Sequence, residues 1–98
     1  MAKPWVVYLL RCARGTLYTG ITNDLERRLA AHRAGRGARY TRGRLPLVLV
    51  HREAAPSRGA ALRREREIKR LDRRGKLALI AAAGGVDPIR TRAGRRLT

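Results

Sequence analysis

The sequence predicts an α+β fold in which a small, mainly antiparallel, three-stranded central sheet is flanked by helices. Three observations carry this. The run Trp-Val-Val-Tyr-Leu-Leu at 5–10 is continuously apolar and rich in β-formers, as a central strand buried on both faces must be. A turn signal at Ala13-Arg14-Gly15 separates it from a second strand-like run at 16–21, so the two form a hairpin. Helix-start residues then stand at Asn23, Ser57 and Asp72, each ahead of a helical pattern.

Taken in order, Asn23 is the expected cap of the first helix, with Glu26 completing a capping box and the helix ending near Arg33. Residues 35–45 form a Gly/Arg loop without periodicity, and Leu-Val-Leu-Val at 47–50 is a short third strand entered through Pro46. A second helix is expected over 60–71 and a third from Asp72 to Gly84-Gly85. The domain spans 1–86, and 87–98 reads as a basic, loosely ordered tail.

Composition narrows the partners. The chain has 98 residues, and 24 Lys plus Arg against 7 Asp plus Glu leave a formal charge of +17. Such an excess repels itself in the folded state, and a polyanion is its usual compensation. With 44% hydrophobic residues, the chain is no disordered polycation. Cys12 is its one cysteine, which excludes a disulfide framework or a Cys-based zinc site. The apolar run near the N-terminus is too short to span a membrane and has no cleavage pattern behind it. A soluble, cytoplasmic protein working on nucleic acid is the expectation.

The candidate functional residues are polar groups on faces that should be buried. Leu25, Arg28, Leu29 and His32 share one helical stripe, while Arg27 lies well away from it. Arg28 can snorkel at the edge of that stripe, and His32 can be satisfied by a backbone bond. Glu65 falls between Leu62 and Ile68 on the apolar side of the second helix, whose other apolar residues are Ala61 and Leu71, and Glu67 points nearly the opposite way. An inward carboxylate needs a cation, either an arginine or a metal. Tyr8 sits in the first strand and Tyr18 in the second, ten residues apart across the turn, and Gly20 permits close approach of a backbone or ligand. Phenols, a guanidinium, an imidazole and a carboxylate together suit phosphodiester hydrolysis.

These residues resemble the motifs of the GIY-YIG nucleases. Val7-Tyr8-Leu9 stands where the first motif belongs, and Tyr18-Thr19-Gly20 where the second does. Arg28 follows at the spacing of the family's arginine, with His32 four residues later. Ala61-Leu-Arg-Arg-Glu65 is similar to its late helix. Trp5 to Cys12, Leu17 to Arg28 and Gly37-Ala-Arg-Tyr-Thr41 further resemble the small bacterial members related to the catalytic domain of structure-specific junction nucleases. The first motif lacks its Gly and Ile, and Ile21 stands where larger repair members place a Lys.

The resemblance implies a DNA endonuclease for branched, flapped or single-stranded substrates, with one Mg²⁺ or Mn²⁺ on Glu65 and no membrane or small-molecule cofactor. It implies catalytic roles for Tyr8, Tyr18, Arg28, His32 and Glu65, with Tyr18 slightly favoured as the group that acts on the water. Tyr40 would line the cleft or stack a base, and Arg36, Arg39, Arg42 and Arg44 would hold the nucleic-acid backbone. The alternative is a non-catalytic DNA- or RNA-binding module of the same fold.

Overall fold

The computed structural model describes residues 4–83. Strands and helices follow in the expected order: β1 (Trp5–Arg11), β2 (Leu17–Thr22), α1 (Leu25–Arg33), β3 (Val48–Ala55), α2 (Arg58–Lys69) and α3 (Arg73–Ala82). Single short helical turns interrupt the connections at Ala13–Gly15 and Arg39–Thr41. The sheet is antiparallel throughout, in the order β2-β1-β3. The tail expected at 87–98 lies outside the described residues. No helix among the described residues is long and apolar enough to cross a membrane.

The continuous apolar run of β1 follows from its central place, because alternate side chains enter two different cores. Val7 and Leu9 pack with Val50, Ala61, Ile68 and Ile80 beneath α2 and α3. Tyr8 and Leu10 pack with Cys12 and Leu47, covered by Leu25 and Leu29 of α1. The layers are therefore α1, sheet, and the pair α2 and α3. Burying each of these large aliphatic side chains contributes about 1.5–3 kcal/mol.

Several boundaries differ from the sequence reading. The cap of α1 is Asp24, not Asn23: its carboxylate accepts the Arg27 N–H at 3.2 Å. The shift has a cause in the preceding strand, since the Thr22 hydroxyl accepts the Asp24 N–H at 3.0 Å and turns the chain one residue later. Glu26 is then too early for a capping box. The second helix begins at Arg58, under a Ser57 hydroxyl that accepts the Ala60 N–H at 3.1 Å, and ends at Lys69. Asp72 must leave helical geometry to cap α3 through the Gly75 N–H at 2.8 Å, so Leu71 falls in the link and is exposed. The third strand continues past Val50 to Ala55, pairing with Trp5 through Leu9.

Candidate active site

The register of the hairpin makes the site. Tyr8 lies opposite Gly20 and Tyr18 opposite Leu10, so both phenols project from one face, the face that α1 covers. Their ring centroids are 6.3 Å apart. Gly20 does not leave room for a ligand; it leaves room for Tyr8. A Cβ at Gly20 would stand 2.6 Å from the Tyr8 hydroxyl and 3.0 Å from the Tyr18 ring. Tyr8 is fully buried, whereas Tyr18 is half-exposed at the outer edge of the sheet.

From α1 the inward stripe delivers His32 and Arg28 to these phenols. His32 is 1% exposed, and its Nε2 lies 2.8 Å from the Tyr8 hydroxyl. Its Nδ1 lies 2.8 Å from Thr41 Oγ1. The Thr41 hydroxyl has one proton and donates it to the Ala38 carbonyl at 2.9 Å. Thr41 must therefore accept from His32, which puts the imidazole proton on Nδ1. Nε2 is then the acceptor, and the Tyr8 O–H donates to it. One ordered chain of protons runs from Tyr8 through His32 and Thr41 to the Ala38 carbonyl. The backbone of Gly37 lies so close against His32 that any side chain there would overlap the imidazole.

Electrostatics assign the protonation states. Burial, opposed by the neighbouring Arg28, pushes the Tyr8 phenol up to about 12, so it is neutral at physiological pH. Burial, and next the charge of Arg28, hold His32 below the usual imidazole range, so it is neutral too. The half-buried Arg28 lies against both phenols, and its hydrogen bond with Tyr8 strengthens its hold on its proton. The arginine is the one permanent charge in this cluster. The backbone-bonded alternative for His32 does not hold here, since both ring nitrogens meet side-chain hydroxyls.

Glu65 arrives from the other layer. Its side chain is 17% exposed and its Oε2 pairs with Lys69 Nζ at 3.2 Å. Lys69 shares a groove along β2 with Tyr18 and Thr19, so this flank of α2 overhangs the edge where Tyr18 emerges. The charge of Glu65 is felt at Tyr8. Tyr40, on the Gly/Arg loop, stacks on Tyr18 with ring centroids 5.8 Å apart, and the Arg44 guanidinium sits 4.5 Å over the Tyr40 ring. Arg36, Arg39, Arg42 and Arg44 are all exposed on that loop. The loop is tied down where the Ala13 N–H donates to the Arg44 carbonyl at 2.8 Å.

Sequence reasoning missed several residues. Gly37 and Thr41 stood in a resembling segment but received no role, because a loop without periodicity does not reveal which side chains turn inward. His51 and Glu53 were missed with the end of β3. The Glu53 carboxylate accepts from Arg64 Nε at 2.7 Å and Nη2 at 3.0 Å, and pairs with His51 Nε2 at 2.8 Å. These bonds draw Glu53 below the usual carboxylate range and fasten α2 to β3.

Residues 4–78 match the model of the GIY-YIG catalytic domain. A UPF0213 protein of Nitratidesulfovibrio vulgaris is 58% identical over 81 residues, covering 83% of this chain and 74% of that one. A UPF0213 protein of Natronomonas pharaonis is 54% identical over 85 residues, covering 87% of this chain and all of its own length. The solution NMR structure of the UPF0213 protein BH0048 from Bacillus halodurans superposes with a TM-score of 0.59 at 44% identity, covering 93% of this chain and 95% of that one. The chain belongs to the GIY-YIG family, a family of nuclease type.

Proposed function

We propose that this protein is a metal-dependent endonuclease that hydrolyses phosphodiester bonds in DNA with unpaired segments: branches, flaps or single strands. The observation that carries the reading is the convergence of Arg28 on the Tyr8 and Tyr18 phenols beside a neutral imidazole. A guanidinium that enters no ion pair among the described residues, at a partly open edge, is placed to receive a phosphate.

The donor set fits a hard divalent ion. Among the described residues no three His, Cys, Asp or Glu side chains gather to cage a metal. A single carboxylate at the groove suits Mg²⁺ or Mn²⁺, which keep several waters and take further ligands from phosphate. Glu65 would hold that ion through its carboxylate, and the ion when bound supplies polarisation of the phosphate and stabilisation of the leaving oxygen. Arg28 holds the scissile phosphate through the charge that builds on its oxygens. Tyr18, the phenol that a bound strand can reach, accepts a hydrogen bond from the attacking water and orients it. Tyr8 and His32 stand behind them, keeping Arg28 and Tyr18 in place. Tyr40 and the exposed Arg36, Arg39, Arg42 and Arg44 hold the flanking strand.

The second reading, a DNA- or RNA-binding module without catalysis, draws on one observation: Lys69 already neutralises Glu65. The two separate in one experiment. Labelled flap, fork and duplex DNA are incubated with the protein in Mg²⁺, Mn²⁺ or EDTA, beside Glu65→Ala and Arg28→Ala. Cleavage in the divalent ions is expected to fall at least about a hundredfold in each variant, with affinity changed only a few-fold. Binding without cleavage under any ion would leave the second reading standing. Cleavage undiminished in both variants would sink the site.

A further inference from the structure

We propose that the groove along the outer edge of β2, with Lys69 and Lys76 on one side and Tyr18 and Tyr40 on the other, binds a phosphodiester of an unpaired strand next to the one that is cut. The proposal rests on the nuclease reading and specifies the substrate segment at the same site.

The composition first marks the place. Of 24 cationic residues 21 are Arg, and the lysines are Lys3, Lys69 and Lys76. Both lysines among the described residues line one depression of about 270 Å³, together with Leu17, Tyr18, Thr19 and Tyr40. In a chain that uses arginine nearly everywhere, two ammonium groups in one groove are a local departure. Lys76 and Tyr40 also border the neighbouring depression of about 240 Å³, with Thr16 and Arg73. The two hollows therefore continue along β2, and cations line both.

The chemistry then selects the ligand. Lys69 Nζ stands 3.2 Å from Glu65 Oε2, which joins the groove to the proposed ion-binding carboxylate. Among the described residues Lys76 enters no ion pair. An ammonium on a flexible stem is a point charge that meets a phosphate from many directions, whereas a guanidinium needs a planar approach. Tyr18 and Tyr40, stacked on each other in the same groove as two ammonium groups, form the kind of aromatic and cationic track that takes a single strand. A space of a few hundred Å³ beside a sheet edge has no room for a duplex, whose major groove alone is about 12 Å wide.

The test reads binding in EDTA, so a chain that never cuts still answers it. Affinities for dT15, rU15 and a blunt 15-base-pair duplex are measured by fluorescence anisotropy across a salt series. The parent is compared with Lys69→Ala/Lys76→Ala and with a charge-matched control, Arg27→Ala/Arg52→Ala, whose residues are exposed on α1 and β3. The lysine variant is expected to bind dT15 or rU15 roughly tenfold more weakly, with a salt slope smaller by about 1.4, two contacts at about 0.7 each. Its affinity for the blunt duplex should stay within about twofold. An equal loss on the duplex, an equal loss in the control, or no loss on either single strand would overturn the proposal. Should thermal melting show the double variant destabilised, Lys76→Gln alone, with an expected loss of about threefold on the single strands, decides the matter. Failure of the nuclease reading looks different: the groove would still discriminate single strands while no divalent ion produced cleavage.

Discussion

At the scale of the residue, His32 is the most exacting group in the molecule. Its neutral, Nδ1-protonated form is required by the Thr41 hydroxyl on one side and the Tyr8 hydroxyl on the other. Thr41→Val removes the acceptor and leaves a buried N–H unpaired, at a cost of about 1–3 kcal/mol, while Thr41→Ser should restore stability. Ring ¹⁵N chemical shifts provide the separate readout: Nδ1 protonated in the parent and in Thr41→Ser, with a changed tautomer balance in Thr41→Val. The sign of the pH dependence follows from the lowered pKa of His32. The unfolded chain takes up a proton near 6.5 and the folded chain only at lower pH. The contribution to stability is thus complete above about 6.5 and lost as pH falls towards the folded value. His32→Gln should flatten that slope in denaturant titrations at pH 7 and pH 5; a slope unchanged by the substitution would mean another group titrates. Arg28 and His32 were legible in the sequence because a helix repeats, and a cation or imidazole within an apolar stripe is conspicuous. Thr41 was not, because its meaning lies entirely in a contact nine residues back.

At the scale of the element, the placement of α2 determines whether Glu65 reaches the site at all. Ala61 and Ile68 bury one flank of this helix against the sheet. Arg64 grips Glu53 of β3 with two hydrogen bonds and Glu67 of its own helix with a third. Glu53→Gln keeps the shape and removes the charge that Arg64 and His51 share. After discounting for solvent around the partly open pair, the loss should be about 1–2 kcal/mol. For a chain of this size that is a fall in melting temperature of roughly 4–16 °C. Thermal unfolding checks it, and a melting temperature within a degree of the parent would show that apolar contacts alone hold α2. The strand carrying Glu53 was only half legible. After the adjacent buried pair Val50 and His51, more and less exposed positions alternate to the end, but the first inward places belong to His51 and Glu53, so the apolar pattern stops while the strand does not. The α1 cap was misplaced by one residue for a similar reason: Asn23 and Asp24 are equally good caps, and the Thr22 hydroxyl decides between them.

At the scale of the whole molecule, the charge of +17 separates into two populations with different tests. On the proposed function, the exposed arginines of the Gly/Arg loop would act through Coulomb attraction and counterion release, so any cation at those positions should serve nearly as well. On the same proposal Arg28 would act through geometry, since a planar guanidinium meets two phosphate oxygens and an ammonium meets one at a time. Removing Arg39, Arg42 and Arg44 together should reduce the slope of log affinity against log salt by about 2–3 on DNA, at about 0.7–0.9 per lost contact. Replacing all three by Lys should leave the slope within about one unit of the parent, because the charge is preserved. Arg28→Lys should do the reverse: affinity and slope nearly unchanged, and cleavage at saturating DNA slower by about a hundredfold or more. Salt-dependent binding on these three variants, with single-turnover cleavage on the last, measures both populations in one series. If the loop variants and Arg28→Lys lost binding and turnover in the same proportion, the division would be wrong, and the basic surface would be one undifferentiated grip.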